Sequence, residues 1–180
     1  MPRTPHTPKR TRLLYDPAQA ERDACGVGFI AQTHGDDARV LPMAIAALKR
    51  LVHRGGVAAD RATGDGAGVM TQIPHKFFER VLRELGCNAP LEKGDVGVGV
   101  FFVPQAAEAK AQLQATVEQA ASAEGVEVLA WRPVPVRPEA LGDYAAKTRP
   151  DIWQLFLRRP ARDDGLAFER RLYRLRRRIL

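Results

Sequence analysis

The chain has two cysteines in 180 residues, Cys25 and Cys87, which is too few and too widely spaced for a disulfide framework or a metal site. No cluster-type cysteine spacing is present, so an iron–sulfur centre finds no ligands here. A reducing, cytoplasmic setting is the expectation. The four histidines, His6, His34, His53 and His75, show neither H-x-H nor H-x-x-x-H spacing, so zinc has no support either. No apolar run approaches the roughly 20 residues that cross a bilayer. The N-terminus, Met1 to Arg10, is basic but lacks the apolar stretch of a secretory signal. Asparagine occurs once, at Asn88, and no Asn-Gly pair exists. The phosphate-binding pattern ending in Gly-Lys-Ser/Thr is also missing. The glycine-rich stretch Gly64-Asp65-Gly66-Ala67-Gly68 is spaced G-x-G-x-G and leads into an apolar run, whereas a dinucleotide fingerprint is G-x-G-x-x-G and opens a helix.

What is abundant is positive charge, and its location decides its meaning. Residues 1–24 hold five Lys/Arg against three Asp/Glu, residues 168–180 hold six Arg against one Glu, and the net charge of +7 is therefore confined to the two ends. A basic patch interleaved with aromatics marks nucleic-acid binding. The terminal arginines have only Tyr173 beside them, and Phe168, Leu172, Leu175 and Ile179 recur at helical spacing. A solvated helix face is the favoured reading, with a non-catalytic basic nucleic-acid-binding module as the alternative. The apolar fraction of 45% and charged fraction of 27% fit one globular domain or most of one.

Along the chain, residues 1–24 read as a leader broken by Pro2, Pro5, Pro8 and Pro17. Residues 26–31 read as a strand and Pro42–Val52 as a helix with Ala44, Ile45, Leu48 and Leu51 on one face. His53-Arg54-Gly55-Gly56 closes that helix. Val69–Ile73 reads as a strand stopped by Pro74. His75–Leu85 is a helix with Phe77, Phe78, Val81, Leu82 and Leu85 as its stripe and Gly86 at its end. Strands follow at Val96–Val103, Val126–Val134 and Ile152–Leu157, with helices at Ala106–Ala123 and Asp163–Leu180. The pattern is mixed α and β.

Cys25 stands in Asp23-Ala24-Cys25-Gly26-Val27-Gly28-Phe29-Ile30-Ala31, at the junction of leader and apolar run. As an internal residue it reads as a small core cysteine. As a first residue it would carry a thiol and a free α-amine on one carbon, a nucleophile with its own base, since pKa values near ~8.5 and ~7.7–8.0 allow proton exchange at neutral pH. Arg54 offers a planar fork of donors that suits carboxylates or carbonyls. His53 is a helix cap or a general base to a cysteine.

Taken together, Ala24–Ala31, the block Ala47-Leu48-Lys49-Arg50-Leu51-Val52-His53-Arg54-Gly55-Gly56, the block Ala59–Pro74 containing Thr63-Gly64-Asp65-Gly66-Ala67-Gly68, and the tail Phe168–Arg178 resemble the class II glutamine amidotransferases. More narrowly they resemble the amidotransferase domain of glutamate synthase large chains, from about residue 13 onward. The resemblance implies an α+β fold of the N-terminal-nucleophile hydrolase type, a four-layer αββα sandwich incomplete in this chain. It implies a leader, 1–24, removed before Cys25, and a truncated amidotransferase domain over 25–180. Cys25 would attack the amide of L-glutamine. Arg54, Gly26 and Gly55 would support nucleophile and substrate, and the glycine loop 64–68 would pack under the same corner. It also implies FMN and an iron–sulfur cluster in the full-length protein, none of them in this segment. Implied partners are the remainder of the large chain and a small reductase subunit, with no nucleic acid and no membrane. One departure is plain. The Asn-Gly pair for the oxyanion, the Arg segment for the substrate carboxylate and the Asp for its α-amine have no counterpart here, which predicts a fragment inactive on its own.

Overall fold

A computed structural model describes residues 26–35, 38–51, 55–88 and 91–180. They fall into two compact units, one comprising the chain up to Gly56 with Asp65–Val69, the other Val57–Gly64 with Met70–Leu180.

Among the described residues of the first unit the regular element is helix α1, Val40–Arg50. It begins two residues before the expected start, which places Pro42 in the first turn, where no intrahelical N–H is required. Lys49 and Arg50 occupy its last turn and suit the negative end of the helix dipole. Residues 26–32 were expected as a strand and have no regular structure. Val27 and Phe29 are 91% and 94% exposed. A strand needs a neighbour to complete its hydrogen-bond ladder, and among the described residues this segment has none.

The second unit holds helix α2 (His75–Glu84), strand β1 (Val96–Val103), helix α3 (Ala107–Ala123), strand β2 (Glu127–Pro133), helix α4 (Asp143–Thr148), strand β3 (Asp151–Arg158) and helix α5 (Gly165–Ile179). The strands form one sheet in the order β1-β3-β2, antiparallel throughout. The alternating Val and Gly of β1 explain how the sheet is covered. Val96 and Val98 face α2 and join Phe78, Val81, Leu82 and Phe156 in one apolar cluster. Gly97 and Gly99 face the other way, Gly97 beneath α5 and Gly99 against Phe101 and Leu155. A Cβ on Gly97 would stand 3.0 Å from both Leu172 methyls and 3.2 Å from the Phe168 ring, so the absence of a side chain permits the close approach of helix and strand. On that face Val117 and Ala121 of α3 meet Leu155 and Leu157 of β3 and Phe168 and Leu175 of α5. Central β3 is buried on both faces at Leu155, Phe156 and Leu157, hence its continuous apolar run. Phe78 packs edge-on to Phe156 with ring centroids 5.1 Å apart, and Phe101 packs against Trp131 at 5.2 Å.

Helix ends follow local chemistry. Gly86 takes φ +88° and closes α2, where the Cys87 N–H donates to Leu82 O at 2.8 Å. Gly125 at φ +66° does the same for α3, with the Val126 N–H reaching Ala121 O at 2.9 Å. Asp164 caps α5 by accepting the Ala167 N–H at 2.7 Å.

The strand expected over Val69–Ile73 is irregular, and Met70 is almost fully exposed. Helix α4 and the 3-10 turn before it, Pro138–Ala140, lie in a segment to which the sequence assigned no element. The described residues therefore make a mixed α+β arrangement with one three-stranded antiparallel sheet, not two stacked sheets.

Candidate active site

Cys25 and Arg54 lie outside the described residues. Gly26 and Gly55 are described, and both are exposed. What the structure brings together in the first unit is the end of the His53-Arg54-Gly55-Gly56 segment and the glycine loop. The Gly56 N–H donates to Asp65 Oδ2 at 2.7 Å, and the Asp65 N–H donates to Gly56 O at 3.1 Å. Asp65 is thus the loop residue that reaches that segment.

In the second unit Val57 and Gly64 form a bridge, and the Ala58 N–H donates to Thr63 O at 2.8 Å. The turn between them is built on Asp60. Its Oδ1 accepts the Ala62 and Thr63 N–H groups at 3.1 and 2.8 Å, and its Oδ2 accepts the Thr63 hydroxyl at 2.6 Å. Arg61 adopts φ 57° inside this turn. The bond from the Thr63 hydroxyl, reinforced by the Thr63 and Ala62 amides, holds the Asp60 carboxyl at about 2. The same pair receives the start of α4: Tyr144 N lies 3.5 Å from Asp60 Oδ2 and Ala145 N lies 3.4 Å from Thr63 Oγ1. Gly142 makes this junction possible, because a Cβ there would run into the Thr63 hydroxyl and backbone and would stand 2.6 Å from Asp60 Oδ2. Sequence reasoning did not find Asp60, Thr63 or Gly142. The available signal was the Asp-x-x-Thr spacing, in which a short carboxylate bonds to amides two and three residues ahead.

The terminal arginines also have a described role. Arg174 Nε and Arg178 Nε donate to the two carboxylate oxygens of Glu124 at 2.8 and 2.5 Å. Arg171 pairs with Asp163 and also donates to Glu124 O at 2.7 Å. Glu124 and Asp163 are buried, and both carboxyls are held below the ordinary range, Glu124 by the bonds from Arg174 and Arg178 and Asp163 by the bond from Arg171. Three of the arginines therefore fasten α5 to the α3–β2 turn and to the loop before α5. The solvated face thus also carries an ion-pair network, in which exposed arginines cover two buried carboxylates.

No described group of three or more His, Cys, Asp or Glu side chains is placed to hold a metal ion. No described helix is long and apolar enough to cross a membrane. A cleft beside α2, lined in part by His75, Lys76, Glu79 and Glu92, encloses about 70 Å³, well below the ~300 Å³ at which small-molecule sites begin.

Comparison with known proteins supplies what these residues do not. The profile of the family described as "Glutamine amidotransferases class-II" matches residues 25–180. The chain is 37% identical over 176 residues to a chloroplastic ferredoxin-dependent glutamate synthase of Oryza sativa subsp. japonica, covering 92% of this chain and 11% of that protein. It is 43% identical over 155 residues to ferredoxin-dependent glutamate synthase 2 of Synechocystis sp., covering 85% and 10%. It is 40% identical over 171 residues to the glutamate synthase [NADPH] large chain of Azospirillum brasilense, covering 94% and 11%. The chain thus spans about a tenth of the length of these relatives.

Proposed function

The chain belongs to the class II glutamine amidotransferases, and on that basis we propose that it is the front of the glutaminase domain of a glutamate synthase large chain. The observation that carries this reading is the family match, which begins at Cys25 and runs to residue 180, with relatives of 37–43% identity that are all glutamate synthases.

In this reading residues 1–24 are a leader whose removal leaves Cys25 as the first residue. The α-amine takes the thiol proton, and the thiolate attacks Cδ of glutamine. The carbon–nitrogen bond then breaks, and the amide nitrogen leaves as ammonia with the transferred proton. Water hydrolyses the γ-glutamyl thioester, giving glutamate and restoring the thiol. Arg54 favours the thiolate by its charge. Gly26 and Gly55 keep space beside the nucleophile for substrate and neighbouring backbone. The ammonia is destined for reductive amination of 2-oxoglutarate in the cytoplasm. That step calls for FMN, an iron–sulfur cluster and an electron donor, delivered by the rest of the large chain or by a small reductase subunit. The described residues do not fit the cluster: Cys87 packs against the α2 cluster, and no second described cysteine accompanies it.

The fold proposed with this function is the αββα sandwich. Its support is an unfinished sheet face: on the side that carries α2, the far end of β1 leaves Val100 54% and Phe102 69% exposed, an apolar surface suited to a second sheet.

The test uses the synthase that carries this chain. Its mature mass should begin at Cys25, and an electrophilic glutamine analogue should label that residue. Cys25→Ser should abolish glutamine-dependent turnover and leave ammonia-dependent turnover intact. A protein that retains Met1 and still turns over glutamine sinks the mechanism.

A further inference from the structure

We propose that the outer face of α5 is a docking seam for an acidic amphipathic helix from the part of the large chain outside these residues; the proposal rests on the glutamate synthase reading above. The inner face of α5 belongs to the core: Phe168 and Leu175 are buried, and Leu172 and Ile179 pack against the same cluster. The opposite face carries a second apolar pattern. Leu166, Tyr173 and Leu180 are exposed there and recur every seven residues. Arg170 and Arg177 fall between them, so Leu166-Arg170-Tyr173-Arg177-Leu180 advances in alternate steps of four and three. That is the period of a coiled-coil seam, a stripe narrow enough for one partner helix.

Charge selects the partner. Of the six arginines between Arg170 and Arg178, Arg171, Arg174 and Arg178 pair with Asp163 and Glu124. Arg170, Arg176 and Arg177 are exposed and have no anionic partner among the described residues. A second copy of α5 would set arginine against arginine along the seam, which like-charge repulsion disfavours. A lipid surface calls for a broad apolar face, and this one offers an apolar residue only at every second seam position. Nucleic acid would answer the arginines and leave Leu166 and Leu180 in water. A helix with apolar residues opposite Leu166, Tyr173 and Leu180, and carboxylates opposite the arginines, answers both. A shallow groove of about 280 Å³ lies among Tyr173, Arg174, Arg177 and Arg178 beside Glu124. Glu124 already takes Arg174 and Arg178, which leaves Arg177 to receive a partner's carboxylate in that groove.

Size selects the source. The 15 residues of α5 make a rod about 22 Å long and about 10 Å across, so one face presents roughly 200 Å². A stable complex between free proteins buries ~800 Å² on each side. A tethered segment escapes that requirement, because linkage raises its effective concentration to about millimolar. The chain spans about a tenth of the length of its relatives, and the remaining polypeptide is ample to supply such a segment.

The test places the photo-cross-linker p-benzoylphenylalanine at position 173 of the synthase that carries this chain, and mass spectrometry identifies the peptide it captures. The expected product is an intramolecular link to a helical segment outside residues 1–180 with Asp or Glu at three- and four-residue spacing. Arg170→Glu combined with Arg177→Glu should lower the yield by about tenfold or more, because like charges would then face each other. Arg170→Lys with Arg177→Lys keeps the charge and should retain most of the link. Neither arginine belongs to the Glu124 and Asp163 pairs, so α5 stays anchored in these variants. Arg170→Gln with Arg177→Gln, expected to lose about threefold or more, carries the test if the reversed variant fails to fold. A link to lipid, nucleic acid, a second copy or a separate subunit overturns the proposal, as does no link or a yield indifferent to charge reversal. Glutamine-dependent turnover is measured on the same preparation with Cys25→Ser as control. Turnover that depends on Cys25 without the link sinks this proposal alone. Turnover indifferent to Cys25→Ser sinks the amidotransferase reading, and the link still decides the seam.

Discussion

Replacing Gly97 with alanine tests how closely α5 lies on the sheet. The added Cβ would meet Leu172 Cδ1 and Cδ2 at 3.0 Å and Phe168 Cζ at 3.2 Å. Carbon atoms prefer about 3.5–4.0 Å, so the helix or Leu172 must yield by roughly 0.5–1 Å. Overpacking of this kind costs about 1–3 kcal/mol. Alanine in place of glycine within a strand returns about 0.5–1 kcal/mol of backbone entropy. The expected net effect is a loss of about 1–2 kcal/mol. Leu172→Ala alone removes a half-buried side chain and should cost about 1–3 kcal/mol. In the double variant the new methyl occupies vacated space, so the two losses should fall short of their sum by about 1–2 kcal/mol. Urea unfolding followed by the fluorescence of Trp131 and Trp153, one on β2 and one on β3, reports the sheet directly. A Gly97→Ala variant as stable as the parent, or losses that add to within about 0.5 kcal/mol, refutes the close packing.

Two further outcomes follow from the polar junctions. Gly142→Ala should break the Asp60–Thr63 contact with α4 and speed amide exchange at Tyr144 and Ala145, while the Asp60 carboxyl stays low by NMR titration because the Thr63 hydroxyl and the Thr63 and Ala62 amides that lower it lie within the turn; unchanged exchange at Tyr144 and Ala145 would refute the contact. Acid should unfold the second unit in a defined window. Asp60, Asp95, Glu124 and Asp163 all have lowered carboxyls in the folded chain, Asp95 chiefly through its bond with Arg159, so their stabilisation is complete above the unfolded values near 4 and is lost as pH falls through the folded ones. Unfolding midpoints should hold from pH 7 to 5 and drop between pH 4 and 2, and a flat profile there counts against the ion-pair network.

Periodic elements were legible in the sequence. Phe78, Val81 and Leu82 announced the buried stripe of α2, and the β1 boundaries agree with the expectation at both ends. The Val-Gly alternation showed a strand but not the reason for its glycines, which depends on Leu172 arriving from a helix some seventy positions later. Residues 26–31 and 69–73 carry strand-like composition, and composition cannot provide a neighbour to pair with. Asp60 and Gly142 meet only through folding, so no local pattern joins them. The same holds for Glu124 with Arg174 and Arg178: the arginine run suggested solvent, whereas a single buried carboxylate far away in sequence takes two of its members. Family membership was legible because four short blocks occur in a fixed order, although Cys25 and Arg54 themselves are not among the described residues.

The order β1-β3-β2 has a consequence in time. The middle strand is the last of the three to be made. During synthesis at ~5–20 residues per second, β1 emerges seconds before the β3 residues that will pair with it. Val96-Gly97-Val98-Gly99-Val100-Phe101-Phe102-Val103 contains no charge and no proline, so nothing in the strand itself discourages pairing with a neighbouring nascent chain during that interval. The ribosome-bound intermediate, more than the finished sheet, is where this strand is open to pairing with a wrong partner.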